Sequence, residues 1–180
     1  MSHVSETDQI ARAAAGDRQA QAALVHRHMP AAYGLARRIL RNDAEAEDVT
    51  QEAFLRAWKA LPDWQPRARF STWLYRVTLN LCRDRLRKRG ETAMAEPPER
   101  EDVALRPDEA LDQSQRVRAI ETAMNALPER QRAALHLCAM DGRTNIEAAE
   151  IMQISVEALE SLLARARRTL RQRISQGGGE

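Results

Sequence analysis

Arg76, Asn80, Arg83 and Arg87 follow one another at intervals of four, three and four residues, so on a helix they form one stripe with a single amide set among guanidinium groups. Guanidinium groups hold phosphates, and an amide offers both a donor and an acceptor to a base edge. Just upstream, Trp64 lies between Pro62 and Pro66 and is followed by Arg67 and Arg69. All three tryptophans (Trp58, Trp64, Trp73) and both phenylalanines (Phe54, Phe70) fall in this region of a chain with only 4% aromatics. Aromatic rings beside arginines can stack unpaired bases while the cations grip the strand. The same rings could equally fill a small helical core.

A second constellation lies near the C-terminus. Ser155 can cap a helix whose first turns offer Glu157, Ala158, Glu160 and Ser161, with Arg165 and Arg168 further along. Carboxylates there can accept from cytosine amino groups in a major groove, and the arginines can either clamp a backbone or merely keep the helix soluble. A third set, Glu45, Asp48, Glu52 and Arg56, forms an acidic helical face opposite the apolar Val49, Ala53, Ala57 and Leu61.

These residues need helices to position them, and the 180-residue chain supplies little else. Asn42 three residues before Glu45, and Thr144 three before Glu147, have capping-box spacing. Leu24, Tyr33, Leu35, Ile39 and Leu40 predict a helix that Pro30 breaks or starts, and Phe70-Ser71 predicts another with Ser71 as its cap and Trp73, Leu74, Val77, Thr78 and Leu81 facing inward. Periodicity lapses after Gly90 and resumes with Val117, Ile120, Met124 and Leu127. Pro128 then fits the first turn of a helix ending at Asp141-Gly142. The short segment Asn145–Met152, a tight connection and a longer C-terminal helix make a helix-turn-helix pattern, beyond which the Gly177–Glu180 tail should fray. No alternating run calls for a strand. The expected fold is all-α: a helical domain over 10–90, an acidic flexible linker over 91–112, and a helix-turn-helix domain over 113–174.

Charge is informative by position. The 28 basic residues, 26 of them arginine, nearly balance 26 acids, yet residues 67–89 carry a net +7 and 165–173 a net +5, separated by −6 over 91–112. That suits two polyanion-binding faces divided by an acidic spacer. Cys82 and Cys138 sit within apolar helical patterns and read as buried or semi-buried thiols, and four scattered histidines support no zinc site. No nucleophile, base and orienting group fall together, and no glycine-rich loop cradles a phosphate, so neither catalysis nor a cofactor is expected. The chain has no eighteen-residue apolar run and no secretory leader, which predicts a cytoplasmic protein without direct membrane insertion.

Taken in order, these motifs resemble the bacterial extracytoplasmic-function (group 4) RNA polymerase sigma factors of the sigma-70 family. The resemblance rests on DAEAEDVTQEAFLRAW from Asp43 to Trp58, FSTWLYRVTLNLCRDR from Phe70 to Arg85, LPERQR from Leu127 to Arg132, and Glu147 to Ile151 leading through Ser155 to Arg165-Ala166-Arg167. It implies that Asp48, Gln51 and Glu52 attach to a coiled coil of core polymerase. It further implies that Trp64, Arg67, Arg69, Arg76, Asn80, Arg83 and Arg87 handle the −10 element, and that Ser155, Glu157, Ala158, Glu160, Ser161, Arg165 and Arg168 face the −35 element. A cognate anti-sigma factor, in this family often membrane-bound, is an implied partner. The sequence departs from the family pattern at Glu160, where Lys is common, at Leu162, where Arg is common, and at Gln153, where the turn usually has glycine. The competing readings are a DNA-binding regulator or adaptor that never joins polymerase, and a helical scaffold that binds only protein.

Overall fold

A computed structural model describes residues 5–64, 69–95, 120 and 122–177; these are helical, with no strand among them. The chain divides into two compact units, residues 1–89 and 90–180.

In the first unit, α1 (Glu6–Ala14) starts at Ser5, whose hydroxyl accepts from the Asp8 amide. Gly16, at φ +87°, turns the chain into α2 (Arg18–Leu40). Asp17 caps α2 by accepting from the Gln19 and Ala20 amides, and its ion pair with Arg12 (2.6 Å) ties the two helices. The Arg12 guanidinium and the Ala20 amide hold the Asp17 carboxyl below its ordinary pKa. The sequence does not announce α1, because only Ile10 and Ala13 are buried in it.

Pro30 neither breaks nor starts a helix: α2 runs through it unbroken. A proline inside a helix forfeits one hydrogen bond and costs roughly 3 kcal/mol. Buried Leu24 on one side and Ala32, Leu35, Ala36, Ile39 and Leu40 on the other anchor both halves, so packing offsets that loss.

Arg41, left-handed at φ +59°, and Asn42, whose side chain accepts from the Glu45 amide at 2.9 Å, connect to α3 (Asp43–Ala60). Val49, Ala53, Ala57 and Leu61 face inward as the periodicity predicts, with Phe54 buried and Trp58 half-buried. A 3₁₀ turn, Leu61–Asp63, ends α3 at Pro62.

α4 (Phe70–Ala95) corrects the sequence reading in three respects. The helix begins at Phe70 itself, with the Trp73 amide bonded to the Arg69 carbonyl, which places Ser71 inside the first turn and not at the cap. It also runs five residues past Gly90, since one glycine costs only about 1 kcal/mol and Glu91, Ala93, Met94 and Ala95 favour helix. Its inward face is wider than one stripe: Leu74, Tyr75, Thr78, Leu79, Leu81 and Cys82 are buried, while Trp73 and Val77 are half-buried. The buried hydroxyls of Thr50 and Thr78 are satisfied by the carbonyls of Ala46 and Leu74 one turn back.

In the second unit, Pro128 is the cap of α5 (Glu129–Leu135) and not a first-turn residue; its extended ψ of 142° keeps it outside the helix. A π-helical turn, His136–Met140, continues α5. Leu127, Ala133, Ala134, Leu137, Ile151, Leu159, Leu163 and Ala166 make the core, whereas Ile120 is exposed. Thr144 and Glu147 form the expected capping box at the start of α6 (Asn145–Met152). Ser155 caps α7 (Val156–Gly177), its hydroxyl accepting from the Ala158 amide at 3.2 Å. Val117, Arg67, most of the expected linker and the tail after Gly177 lie outside the described residues.

The turn between α6 and α7 contains Gln153 at φ +55°, ψ +48°, left-handed backbone that costs a side-chain-bearing residue roughly 1–2 kcal/mol. Replacing it with glycine removes that strain at the expense of added unfolded-state entropy. Gln153→Gly is therefore expected to stabilise the second unit by up to about 1 kcal/mol. Thermal unfolding of the parent and variant checks it; an unchanged or lower midpoint would mean that the strain relieved does not exceed the unfolded-state entropy that glycine adds.

Candidate nucleic-acid interface

On α4 the residues Arg76, Asn80 and Arg83 are half-buried, and Arg87, near the stripe's C-terminal end, is exposed and paired with Asp84 at 3.3 Å. Helical spacing sets Arg69 and Trp73 on the same side, so the stripe extends to the start of the helix. Partial burial matters here. It restrains the rotamers of Arg76, Asn80 and Arg83, which reduces the entropy lost when they engage a ligand.

The loop tryptophan is held from below. Trp64 meets Trp73 edge-on (ring centroids 5.6 Å apart) and Phe70 at 5.7 Å, and Phe70 in turn stacks on Trp73 at 6.4 Å. His28 of α2 lies 5.2 Å from Phe70 and within 3.1 Å of the Glu6 carboxylate, linking α1 and α2 to the same aromatic group. Trp64 thus packs into the unit and still lines a cavity of about 540 Å³ together with Glu6, Ile10, Leu61, Arg69 and Phe70. Sequence reasoning missed Glu6 and His28, which are 22 residues apart and share no motif. Arg67 falls in the segment outside the described residues, so the stripe and the loop are described from Arg69 and Trp64 alone.

The acidic face of α3 is open to solvent, with side-chain exposure of 62% at Asp48 and 44% at Glu52, and Gln51 is exposed between them. Its charges are partly countered from inside the unit. Glu52 pairs with Arg56 (2.8 Å), and α4 approaches from the side opposite its stripe to set Arg85 3.6 Å from Asp48 and Arg89 3.7 Å from Glu45. One helix therefore presents two faces, an Arg/Asn stripe and a row that braces the acidic patch.

In the second unit, Glu157, Ala158, Glu160, Ser161, Arg165 and Arg168 are all exposed on α7, and Leu159, Leu163 and Ala166 are buried beneath them. Leu162 is half-buried, as expected for a leucine at the edge of the apolar stripe. The two glutamates differ in their local bonding. The Glu157 carboxyl bonds its own backbone N–H and the Ser155 hydroxyl, which lower its pKa and commit it to the helix start. Glu160 instead accepts from Asn145 Nδ2 of α6 at 3.3 Å. Arg165 Nε bonds the Ser161 carbonyl at 3.1 Å.

Cys82 is buried and Cys138 half-buried, both as free thiols. No group of three His, Cys, Asp or Glu among the described residues could hold a metal, and no described helix is long and apolar enough to cross a membrane.

Comparison with known proteins identifies the family. Residues 24–92 match the family model described as Sigma-70 region 2, and residues 117–170 match that of Sigma-70, region 4. The chain is 32% identical over 161 residues to the ECF RNA polymerase sigma factor SigE of Mycolicibacterium smegmatis, covering 87% of this chain but 62% of that protein. It is 31% identical over 170 residues to ECF RNA polymerase sigma factor SigW of Bacillus subtilis, covering 88% of this chain and 91% of SigW. The solved structure of CnrH in complex with the cytosolic domain of CnrY superposes with a TM-score of 0.69 at 30% identity, over 93% of this chain and 96% of that one. Two sigma-70 regions in order, on helices that carry an acidic face in one place and arginine-rich faces in two others, place the chain in the family of extracytoplasmic-function RNA polymerase sigma factors.

Proposed function

We propose that the chain directs bacterial core RNA polymerase to a particular set of promoters as a group 4 sigma factor, in a stress or environmental response. The observation that carries this reading is the division of labour on the first unit, where α3 turns an exposed acidic face outward and α4 carries the stripe Arg76, Asn80, Arg83, Arg87. Asp48, Gln51 and Glu52 dock on a basic coiled coil of core polymerase, where charge pairing sets orientation and partner choice. Trp64, Arg67, Arg69 and the stripe hold the melted −10 strand by its phosphates while Asn80 reads a base. Ser155, Glu157, Ala158, Glu160, Ser161, Arg165 and Arg168 face the −35 duplex. In this scheme the functional domains span 10–90 and 113–174 on either side of a 91–112 linker. The polymerase supplies the catalysis and its metal ions, and the chain works in the cytoplasm without a cofactor of its own.

An anti-sigma partner belongs to the same proposal. CnrH was solved with the cytosolic domain of CnrY, and the sigma factor RpoE of Bartonella quintana, at TM-score 0.67 and 25% identity, with the anti-sigma factor NepR. A partner of that kind would occlude the surfaces named above.

Reconstitution with core polymerase over a promoter library, with transcript starts mapped, tests the proposal. Initiation at a shared −35/−10 pattern that depends on both core and this chain is the expected result. Duplex binding without start-site selection would instead make the chain a regulator that acts apart from polymerase.

The −35 arm yields a more local prediction. Arg165→Ala or Arg168→Ala should weaken binding to all −35 sequences alike and lower the slope of log K against log salt by roughly 0.9 for each phosphate no longer neutralised. Salt titration of the holoenzyme on a fixed promoter reads this. A slope that stays at the parent value would assign these arginines to helix solubility.

A further inference from the structure

We infer that Asn145 is a positioning residue for base reading: it holds the Glu160 carboxylate so that one oxygen is left to accept from a cytosine amino group in the −35 element. The inference rests on the sigma-factor reading and adds to it a residue outside the recognition helix.

A solvent-exposed glutamate samples many rotamers, and one that must meet a single base edge loses that freedom on binding. Here the freedom is already restricted. Asn145 Nδ2 donates to Glu160 Oε1 at 3.3 Å, which leaves Oε2 to accept from elsewhere. Asn145 is itself well placed to act as a fixed support. It is the first residue of α6, directly after Thr144 and inside the Thr144–Glu147 capping box, so its backbone is set by two reciprocal hydrogen bonds. The orientation of its amide is set from the other side. The Cys138 thiol lies 3.8 Å from Asn145 Oδ1 and can donate to it, while the Glu160 carboxylate can only accept, so Nδ2 faces Glu160. Burial raises the Cys138 pKa, which keeps the thiol protonated and able to donate near neutral pH. The π-helical turn thereby braces the α6 asparagine that holds the α7 carboxylate. Glu157 has no comparable support from outside its own helix start, since its bonds are to its own backbone N–H and to Ser155. An amide support also suits this position better than a lysine or arginine, which would pair with Glu160 and compete with the base for the carboxylate.

The test uses the full chain assembled with core polymerase on a promoter library randomised across the −35 element, comparing the parent with Asn145→Ala, Asn145→Asp, Glu160→Ala and the Asn145→Ala/Glu160→Ala pair. Asn145→Asp is the informative variant: a carboxylate at the first position of a helix is favourable for folding, yet it removes the donor and repels Glu160. Both single Asn145 variants should reduce discrimination roughly three- to tenfold, the range for one hydrogen bond, at the base position where Glu160→Ala also acts. The double variant should lose no more than Glu160→Ala alone. A profile unchanged in both Asn145 variants while Glu160→Ala shifts it overturns the inference and leaves the −35 role of α7 standing. Equal weakening on every sequence overturns it too, since that is the signature of a structural asparagine. Should Glu160→Ala leave the profile unchanged, the carboxylate reads no base and the inference goes with it. A parent holoenzyme without any −35 preference would take down the sigma-factor reading as well.

Discussion

Asp48→Arg and Glu52→Arg are expected to weaken association with core polymerase roughly tenfold or more while the fold survives. Both side chains project from the exposed side of α3, away from buried Val49, Ala53 and Ala57, so neither substitution disturbs packing. The local electrostatic cost is small. Arginine at 48 would face Arg85 in place of an ion pair at 3.6 Å, and arginine at 52 would face Arg56 in place of one at 2.8 Å. Exposed pairs of this kind contribute up to about 1 kcal/mol, so the thermal midpoint should stay within about 8 °C of the parent. Asp48→Asn separates the two effects, because it deletes the attraction without adding a repulsion and should fall between parent and Asp48→Arg. Raising the salt should narrow the gaps between variants, as screening predicts for charges at an interface rim. Core affinity equal to the parent's in both reversals would remove α3 from the docking surface, whatever else the chain does.

What the sequence made legible follows from the range of the interactions involved. Asn42, Thr144 with Glu147, and Ser155 announce helix starts because a capping contact spans only three residues, and each of them does cap. The inward set on α3 was legible for the same reason: a helical period is local. Pro30 was misleading because its local penalty is outweighed by packing of α2 on either side of it. Ser71 looked like a cap because Phe70 could have been the apolar residue outside the helix, whereas burial of Phe70 draws it into the first turn. The contacts that give the candidate surfaces their rigidity were illegible altogether. Glu6–His28, Asp48–Arg85 and Asn145–Glu160 join residues 22, 37 and 15 positions apart through tertiary placement, and nothing in the identity of either partner selects the other. The gap has a functional side, since the sequence named residues that could touch DNA or polymerase and not the residues that restrain them.

The largest effect on promoter opening is expected at Asn80. Its amide sits in register with Arg76 and Arg83, is half-buried like them, and can present a donor and an acceptor to a base whose phosphates those cations hold. Asn80→Ala should lower open-complex formation or flatten −10 preference by roughly tenfold, as removal of a base-edge hydrogen bond worth about 1–3 kcal/mol would do, at unchanged core affinity. Asn80 lies outside the buried face of α4, so the substitution opens no core cavity. Trp64→Ala should act on the same step for a different reason. Its ring packs on Phe70 and Trp73, and removing it loosens the approach to Arg69 at the start of α4, which costs opening on every −10 sequence alike. Trp64→Phe keeps an aromatic ring in that packing and should recover most of the loss. Transcription from matched ordinary and pre-melted promoters, with core affinity measured in parallel, separates the roles. Pre-melting bypasses strand separation, so it should rescue Trp64→Ala more completely than Asn80→Ala, which still lacks its base contact on a strand already open. If Asn80→Ala opens promoters with the parent's rate and −10 preference, Asn80 is only a polar residue at the edge of an arginine stripe, and base reading must be sought among the residues around the Trp64 cavity.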